Sequence, residues 1–224
     1  GLGDVYKRQS LDTRTIHESV KEAKNKMEKR KFIQSVELII NLRDIDMKKP
    51  ESKIQELIEL PFPIGKQTKV CVIASGELAL KARGAGADLV MERAELEALA
   101  GDKKRQKTLA NDYDHFIAEA PLMPTVGKVL GAVLGPKGKM PTPVPPTVNI
   151  ADIIEKQRKT VQIRMRGQPI LQCRIGTEDM PEEQIAENIE AVMRRLEGKL
   201  KRGLKNIKSI VVKTAMGPPI KIRI

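Results

Sequence analysis

The chain has 224 residues, of which 40% are hydrophobic and 31% are charged, and it carries a formal net charge of +12 with an isoelectric point near 9.7. This composition is typical of a soluble protein with one large domain or two modest ones, and no apolar run approaches the roughly 20 residues that a membrane helix needs. The two cysteines, Cys71 and Cys173, lie far apart without companion cysteines, which argues against a disulfide framework or a zinc cluster.

The N-terminal part begins without an initiator methionine, and we interpret residues 1–13 as a non-native extension, such as a tag, an adaptor-derived or a misassembled addition, outside the fold. Apolar residues at helical spacing then predict a helix over residues 16–27. Apolar alternation predicts a strand over 36–42, and a less regular pattern favours a second strand over 54–60 after a connection at 47–50.

The middle of the chain changes pattern after the Pro-rich segment 61–66, which is incompatible with a helix and marks a domain boundary. Short apolar strands then alternate with helices, as in a βαβ domain with a parallel sheet. The strands are predicted over residues 70–74, 88–91 and 115–118, and the helices over 77–83, 94–100, 103–110 and 126–134. A second Pro-rich loop, 135–146, leads the chain out of this domain.

The C-terminal part alternates strands with one long helix. Pro181, followed by two acidic residues, predicts the start of a helix, because proline suits the first turn and acids suit the positive end of the helix dipole. Strands are predicted over residues 161–166, 170–175, 209–214 and 220–224. Gly167 is expected to join the first two strands into a hairpin, and a turn at 216–219 the last two.

These elements predict an α/β protein of two domains. Residues 14–62 and 150–224 form a split α+β domain from both termini. Residues 63–149 form an inserted Rossmann-like, three-layer α/β domain. The two Pro-rich crossings between them invite relative motion of the domains.

A nucleotide-dependent enzyme using the insert is the main competing hypothesis. Gly84-Ala85-Gly86 resembles a dinucleotide-binding turn, but it follows a helix and has Leu89 where the third glycine belongs. Gly138-Lys139 lacks the preceding glycine and the following Ser or Thr of a phosphate-binding loop. His17 and His115 assemble no nucleophile or metal set. The sequence therefore predicts no enzyme, and no catalytic residue, cofactor or metal site.

The distribution of charge favours RNA as the partner. Residues 194–224 carry ten basic residues and one acid, which concentrates positive charge at one end of the chain. Aromatic residues make up only 2% of the chain, too few for the base-stacking platforms of single-strand readers. Contacts to the backbone, the 2′-hydroxyl groups and the overall shape must then dominate, which points to folded RNA.

Five motifs in this order resemble one family, the large-subunit ribosomal protein one ("L-one") of the mobile ribosomal stalk, over residues 16–224. They are Lys31-Phe32 before the first strand, Leu60-Pro61 with Gly65-Lys66, Gly84-Ala85-Gly86-Ala87-Asp88, Leu134-Gly135-Pro136-Lys137-Gly138-Lys139-Met140-Pro141, and Thr214-Ala215-Met216-Gly217-Pro218. The ending of the fourth motif, through Pro146, resembles the archaeal type.

The resemblance implies a cytoplasmic, ribosome-associated protein that is a monomer within the ribosome. Its implied partners are large-subunit ribosomal RNA, exit-site tRNA during release of deacylated tRNA, and its own messenger RNA, whose translation it would repress; no membrane is involved. Carried over by position, the family's RNA-binding residues fall on Glu22, Lys31, Phe32, Ser35, Ser209, Thr214, Met216 and Gly217.

The chemistry of these positions suits RNA. Arg164, Arg166 and Lys213 add positive charge, the Ser and Thr hydroxyls can bond phosphate and 2′-hydroxyl groups, and Met216 can pack on a base or sugar. Gly217 is expected to let the backbone approach RNA closely. Two positions keep alternatives, since Phe32 could stack on a base or join the core, and Glu22 could accept from a base amine or be a solvated helix residue. The family usually has Thr where this chain has Ala215, which removes one hydroxyl.

Overall fold

The structure is a computed structural model that describes residues 12–46, 54–65, 68–165 and 167–223. The strands are β1 (Ser35–Leu42), β2 (Gln55–Glu59), β3 (Val70–Ile73), β4 (Leu89–Met91), β5 (His115–Glu119), β6 (Thr142–Val144), β7 (Thr160–Arg164), β8 (Ile170–Thr177), β9 (Ile207–Thr214) and β10 (Ile220–Ile222). The helices are α1 (Thr13–Asn25), α2 (Gly76–Gly84), α3 (Arg93–Ala98), α4 (Lys103–Asp112), α5 (Met123–Lys137), α6 (Ile150–Arg158) and α7 (Glu182–Glu197). Short 3₁₀ turns lie at Ala120–Leu122 and Gly203–Asn206.

The chain divides into two compact units. The terminal unit comprises Gly1–Lys66 with Lys159–Ile224, and the inserted unit comprises Gln67–Arg158. The sequence placed residues 150–158 in the terminal domain, but they form helix α6, whose Ile150 and Ile154 pack in the core of the inserted unit. The second boundary between the inserted unit and the terminal unit therefore lies after this helix and not after residue 149.

The terminal unit is built on a four-stranded antiparallel sheet in the order β10-β9-β1-β8. Strand β1 lies inside the sheet, where its even-numbered residues are buried and its odd-numbered residues are partly exposed. Helices α1 and α7 cover the buried face, with apolar side chains such as Val20 and Ile189 in one core with Leu38. The apolar alternation in the sequence of β1 therefore correctly predicted which face of the strand the helices cover.

The start of α1 lies partly within the segment that the sequence excluded from the fold. Asp12 caps the helix by accepting a hydrogen bond from the Arg14 N–H at 3.2 Å, and Thr13 is the first helical residue. The predicted extension up to residue 11, and the predicted connection at residues 47–50, lie outside the described residues.

The predicted hairpin of residues 161–166 with 170–175 is wrong. Strand β7 pairs antiparallel with β2 in a separate two-stranded sheet, and β8 pairs with β1. Pro169 lies at the start of the β1–β8 ladder, where its carbonyl accepts from the Leu42 N–H at 2.8 Å. The chain thus passes from one sheet to the other across Gly167, a choice that local turn signals do not reveal.

The inserted unit is the predicted three-layer α/β fold. Its parallel sheet has the order β4-β3-β5-β6, and two separate apolar clusters lie on its two faces. Helices α3, α4 and α5 contribute to one cluster, and α2 and α6 to the other. Both faces of β3 are covered, which explains its fully apolar sequence.

The second Pro-rich loop is more ordered than the sequence predicted. Helix α5 extends through Pro136 to Lys137 and stops at Gly138, which adopts a left-handed conformation with φ of 72°. The Gly138 and Lys139 N–H groups bond the carbonyls of Gly135 and Leu134, which closes the helix end. Strand β6 follows within the predicted loop. None of the helices in the described part of the chain could cross a membrane.

Candidate nucleic-acid interface

The turn between β9 and β10, residues 215–219 (the Met216 turn), lies at one end of the four-stranded sheet. Its first residue is tied to β1, because the Ala215 N–H donates to the Ser35 carbonyl at 2.9 Å. Met216 is 66% exposed, and on the loop between α1 and β1 Phe32 is 50% exposed. An exposed Phe32 contradicts a core role for this ring and leaves it available for stacking.

The buried side chain of Gln34 holds the Met216 turn against neighbouring segments. Its amide oxygen accepts from the Met216 N–H at 3.1 Å, and its amide nitrogen donates to the Glu28 carbonyl at 2.8 Å. Its backbone carbonyl accepts from the Glu178 N–H at 2.9 Å. Sequence reasoning missed Gln34, although this polar residue stands in phase with the inward-facing alternation of β1.

Thr214 and Gly217 pack against each other inside the protein. Thr214 is completely buried, and its hydroxyl has no hydrogen-bond partner among the described residues. The hydroxyl is therefore not presented to RNA, which differs from the role that the sequence suggested. A Cβ on Gly217 would collide with this hydroxyl and would lie 3.6 Å from Met27 Cβ. Packing within the turn is thus one reason for glycine here, and the close approach of RNA at Gly217 stays a prediction.

The exposed surface of α1 and its following loop carries mixed charge. Glu22 is exposed, and its carboxylate accepts from Lys26 Nζ at 2.5 Å. An exposed ion pair one helical turn apart contributes little to stability. This arrangement matches the solvated-helix alternative for Glu22. Lys31 is exposed and lies beside Phe32 in the sequence.

The structure places Ser209 and Arg164 away from the Met216 turn. Ser209 pairs with Asn41, whose amide donates to the Ser209 hydroxyl at 2.8 Å, and Asn41 in turn pairs with Ile170 on β8. Arg164 lines a surface pocket together with Ile170, and therefore lies at this same end of the sheet. At about 3.3 Å per residue, β9 separates Ser209 from Met216 by roughly 20 Å. Arg166 lies outside the described residues.

Lys213 lies between these two groups on the sheet face opposite the helices. In the strand register it stands opposite Glu37, which in turn stands opposite Arg174. The row across the sheet is therefore cationic, acidic and cationic. Exposed Lys221 on β10 adds a further positive charge to this face. The predicted residues thus form an apolar end at the Met216 turn and a polar, mainly basic sheet face.

The residues with catalytic potential are placed in structural roles. Burial raises the pKa of the thiols of Cys71 and Cys173 to about 12, which makes both unreactive near neutral pH. Among residues 12–46, 54–65, 68–165 and 167–223, no group of three or more His, Cys, Asp or Glu side chains could hold a metal ion. In the Gly84–Gly86 turn, the Gly86 carbonyl accepts a hydrogen bond from Arg158 Nη2 at 2.7 Å, so this turn contacts another part of the same chain.

The chain is similar to known proteins over nearly its whole length. The profile of the ribosomal protein L1p/L10e family matches residues 21–218. The large ribosomal subunit protein uL1 of Methanothermobacter thermautotrophicus is 48% identical over 207 residues, which cover 92% of this chain and 98% of that protein. The uL1 protein of Pyrococcus horikoshii is 49% identical over 216 residues, which cover 96% and 98% of the two chains. The chain therefore belongs to the ribosomal protein L1p/L10e family, and its resemblance is to the archaeal members.

Proposed function

We propose that this protein is a structural constituent of the large ribosomal subunit that binds ribosomal RNA through the terminal unit. The observation that carries the proposal is the exposed Met216 on a turn that is tied to β1 through Ser35 and to the buried Gln34. An exposed apolar side chain on a turn that hydrogen bonds fix in place is suited to pack on a base or sugar. The relatives are large ribosomal subunit proteins, which supports the same partner.

The two parts of the candidate interface supply different contacts. The Met216 turn with Phe32 offers apolar surface, and the sheet face with Lys213 offers charge to phosphates. Phosphate contacts give affinity that falls with salt, whereas apolar and shape contacts choose among RNA structures. Lys31, Ser35, Ser209 and Arg164 extend the proposed interface to both ends of the sheet.

The finer functions follow from the same proposal. Within the ribosome, a monomer of this protein at the mobile stalk would contact exit-site tRNA and aid its release. Bound to a similar fold in its own messenger RNA, it would repress translation. Both activities need the RNA surface of the terminal unit, and both place the protein on cytoplasmic ribosomes. The formal net charge of +12 favours each of these polyanionic partners.

The experiment compares Met216→Asp with a matched control, Met140→Asp. Met140 is also an exposed methionine, but it lies in the inserted unit. Filter binding to a transcript of archaeal large-subunit ribosomal RNA should show a loss of about a hundredfold for Met216→Asp and little change for Met140→Asp. Equal binding by both variants would contradict the assignment of the Met216 turn to RNA.

An enzyme that uses the inserted unit is the alternative. Its sheet has the parallel order of nucleotide-binding folds, but fold alone does not establish activity. Calorimetric titration of the protein with adenine and guanine nucleotides and with dinucleotides should release no heat of binding. A saturable signal would favour the enzyme.

A further inference from the structure

Gln34 is a fully buried polar side chain at the point where three segments of the terminal unit meet. It is 0% exposed, and it follows the core-facing phase that Val36, Leu38 and Ile40 occupy with apolar side chains. A buried amide without hydrogen-bond partners would destabilise the fold strongly. An amide side chain at this core-facing position is therefore tolerated only because of the hydrogen bonds that it makes.

The partners of Gln34 determine the orientation of its amide. The amide oxygen faces an N–H donor at Met216 and the amide nitrogen faces a carbonyl acceptor at Glu28. In the reversed orientation the amide nitrogen would face the Met216 N–H, donor against donor, and the amide oxygen would face the Glu28 carbonyl, acceptor against acceptor. One rotamer thus joins the loop after α1 to the turn after β9, while the Gln34 backbone joins the turn after β8 through Glu178.

We propose that Gln34 is a positioning residue that holds Met216 in the conformation that RNA binds. This inference rests on the proposed function of the Met216 turn. The turn has two backbone bonds near its base, Ala215 N–H to the Ser35 carbonyl and Gly217 N–H to the Thr214 carbonyl. The hydrogen bond at Met216 itself is made with a side chain, because the Met216 N–H donates to the Gln34 amide oxygen. It fixes the backbone position from which the exposed Met216 side chain projects.

Preorganisation is the physical reason for an effect on affinity. A turn that is ordered before binding loses less conformational entropy on binding RNA than a turn that must be ordered by it. Gln34→Met replaces the amide with an apolar side chain of similar length that cannot accept from the Met216 N–H. We expect RNA affinity to fall about tenfold, which corresponds to about 1.4 kcal/mol.

The effect of Gln34 should differ from that of a phosphate-binding residue. Gln34 is neutral and buried, so its replacement removes no charge contact. The dependence of log affinity on log salt should therefore keep the slope of the unmodified protein, while the affinity is lower at every salt concentration.

A double-substitution cycle shows whether Gln34 acts through Met216. Filter binding to the ribosomal RNA transcript is measured for Gln34→Met, Met216→Ala and both together. If Gln34 acts through Met216, the double variant binds about as weakly as Met216→Ala alone. Losses that multiply would overturn the positioning role, as would an unchanged affinity of a folded Gln34→Met protein.

The control is Gln106→Met. Gln106 is also buried, and its amide nitrogen donates to the Leu99 carbonyl at 2.8 Å, but it lies in the inserted unit. This variant should bind RNA like the unmodified protein. A loss of affinity equal to that of Gln34→Met would assign both effects to general destabilisation and overturn the proposal.

Amide hydrogen exchange tests the contact without RNA. In the unmodified protein the Met216 amide should exchange at least tenfold more slowly than an unbonded amide, and Gln34→Met should abolish this protection while Leu38 in β1 stays protected. A Met216 amide that exchanges freely in the unmodified protein overturns the inference. If the unmodified protein is protected but does not bind the transcript, the proposed function fails and the positioning role fails with it. Binding by the unmodified protein with unchanged Gln34→Met overturns the positioning role alone.

Discussion

Gly217 and Thr214 are in such close contact that a Cβ on Gly217 would overlap the buried Thr214 hydroxyl. The glycine is thus required by the neighbouring side chain of the same turn. Because of this contact, the shape of the Met216 turn depends on the absence of a methyl group at position 217 and on the size of the side chain at position 214.

Gly217→Ala should therefore displace the Met216 turn. Overpacking of this kind destabilises a protein by about 1–3 kcal/mol, and the displaced Met216 should weaken RNA binding about tenfold. Thermal unfolding and filter binding measure the two effects.

Thr214→Ala combined with Gly217→Ala should restore most of both losses, because it removes the atom with which the new Cβ collides. If the glycine is needed instead for close approach of RNA, the double variant will recover stability but not affinity. Thr214→Ala alone should change stability little, since the loss of its buried methyl group is offset by removal of a buried hydroxyl that has no partner among the described residues.

Lys31 should contribute charge to RNA binding without selecting its shape. Lys31→Gln is expected to reduce the slope of log affinity against log salt by about one, the amount expected for the loss of one phosphate contact. The matched control is Lys107→Gln, an exposed lysine of the inserted unit, which should leave the slope unchanged. Equal slopes for the unmodified protein and both variants would remove Lys31 from the interface.

Asn188 should be the main polar determinant of stability near the first Pro-rich crossing. Its fully buried amide bonds the N–H of Phe62 at 3.0 Å and the carbonyls of Phe62 and Ile175 at 3.1 and 2.9 Å. Asn188→Leu leaves these backbone groups unpaired and should lower the free energy of unfolding by about 3 kcal/mol in urea denaturation. Exposed Asn25→Leu should cost less than about 0.5 kcal/mol. Similar values for the two variants would refute the role of Asn188.

Glu56 should give the terminal unit a pH-dependent stabilisation. Its hydrogen bond with Lys199 at 2.8 Å, and the positive charges of Lys199 and Arg195, hold the pKa of the carboxyl below its ordinary value against the opposing effect of burial. A carboxyl whose pKa is lowered by folding contributes stability above its unfolded pKa and loses it as the pH falls through the folded value.

Glu56→Gln is therefore expected to be less stable than the unmodified protein at pH 7 by less than about 1 kcal/mol, because both basic partners are about half exposed. The difference should shrink as the pH falls below the ordinary range of a glutamate carboxyl and through the lowered pKa of Glu56 in the folded protein. Urea denaturation over a series of pH values measures this change. A difference that does not vary with pH would assign the effect to packing.

Local patterns in the sequence determined the elements and their buried faces. Alternation in β1 and helical spacing in α1 and α7 depend only on which side of each element is apolar, and that is a property of consecutive residues. The α/β class and its three-layer insert followed from the order of these elements, and the ordered motifs identified the family. The basic character of the C-terminal segment was also visible without a structure.

Tertiary structure decided which elements meet. Strand β8 pairs with β1 and not with its neighbour β7, and helix α6 packs in the inserted unit, because pairing depends on surfaces far apart in the sequence. The same reason applies to the site. The family resemblance grouped Thr214 and Ser209 with Met216 as RNA-binding residues, but Thr214 is buried and Ser209 lies at the other end of the sheet. The fold also brings Gln34 to Met216 across 182 positions of the chain, a contact that local pattern cannot contain.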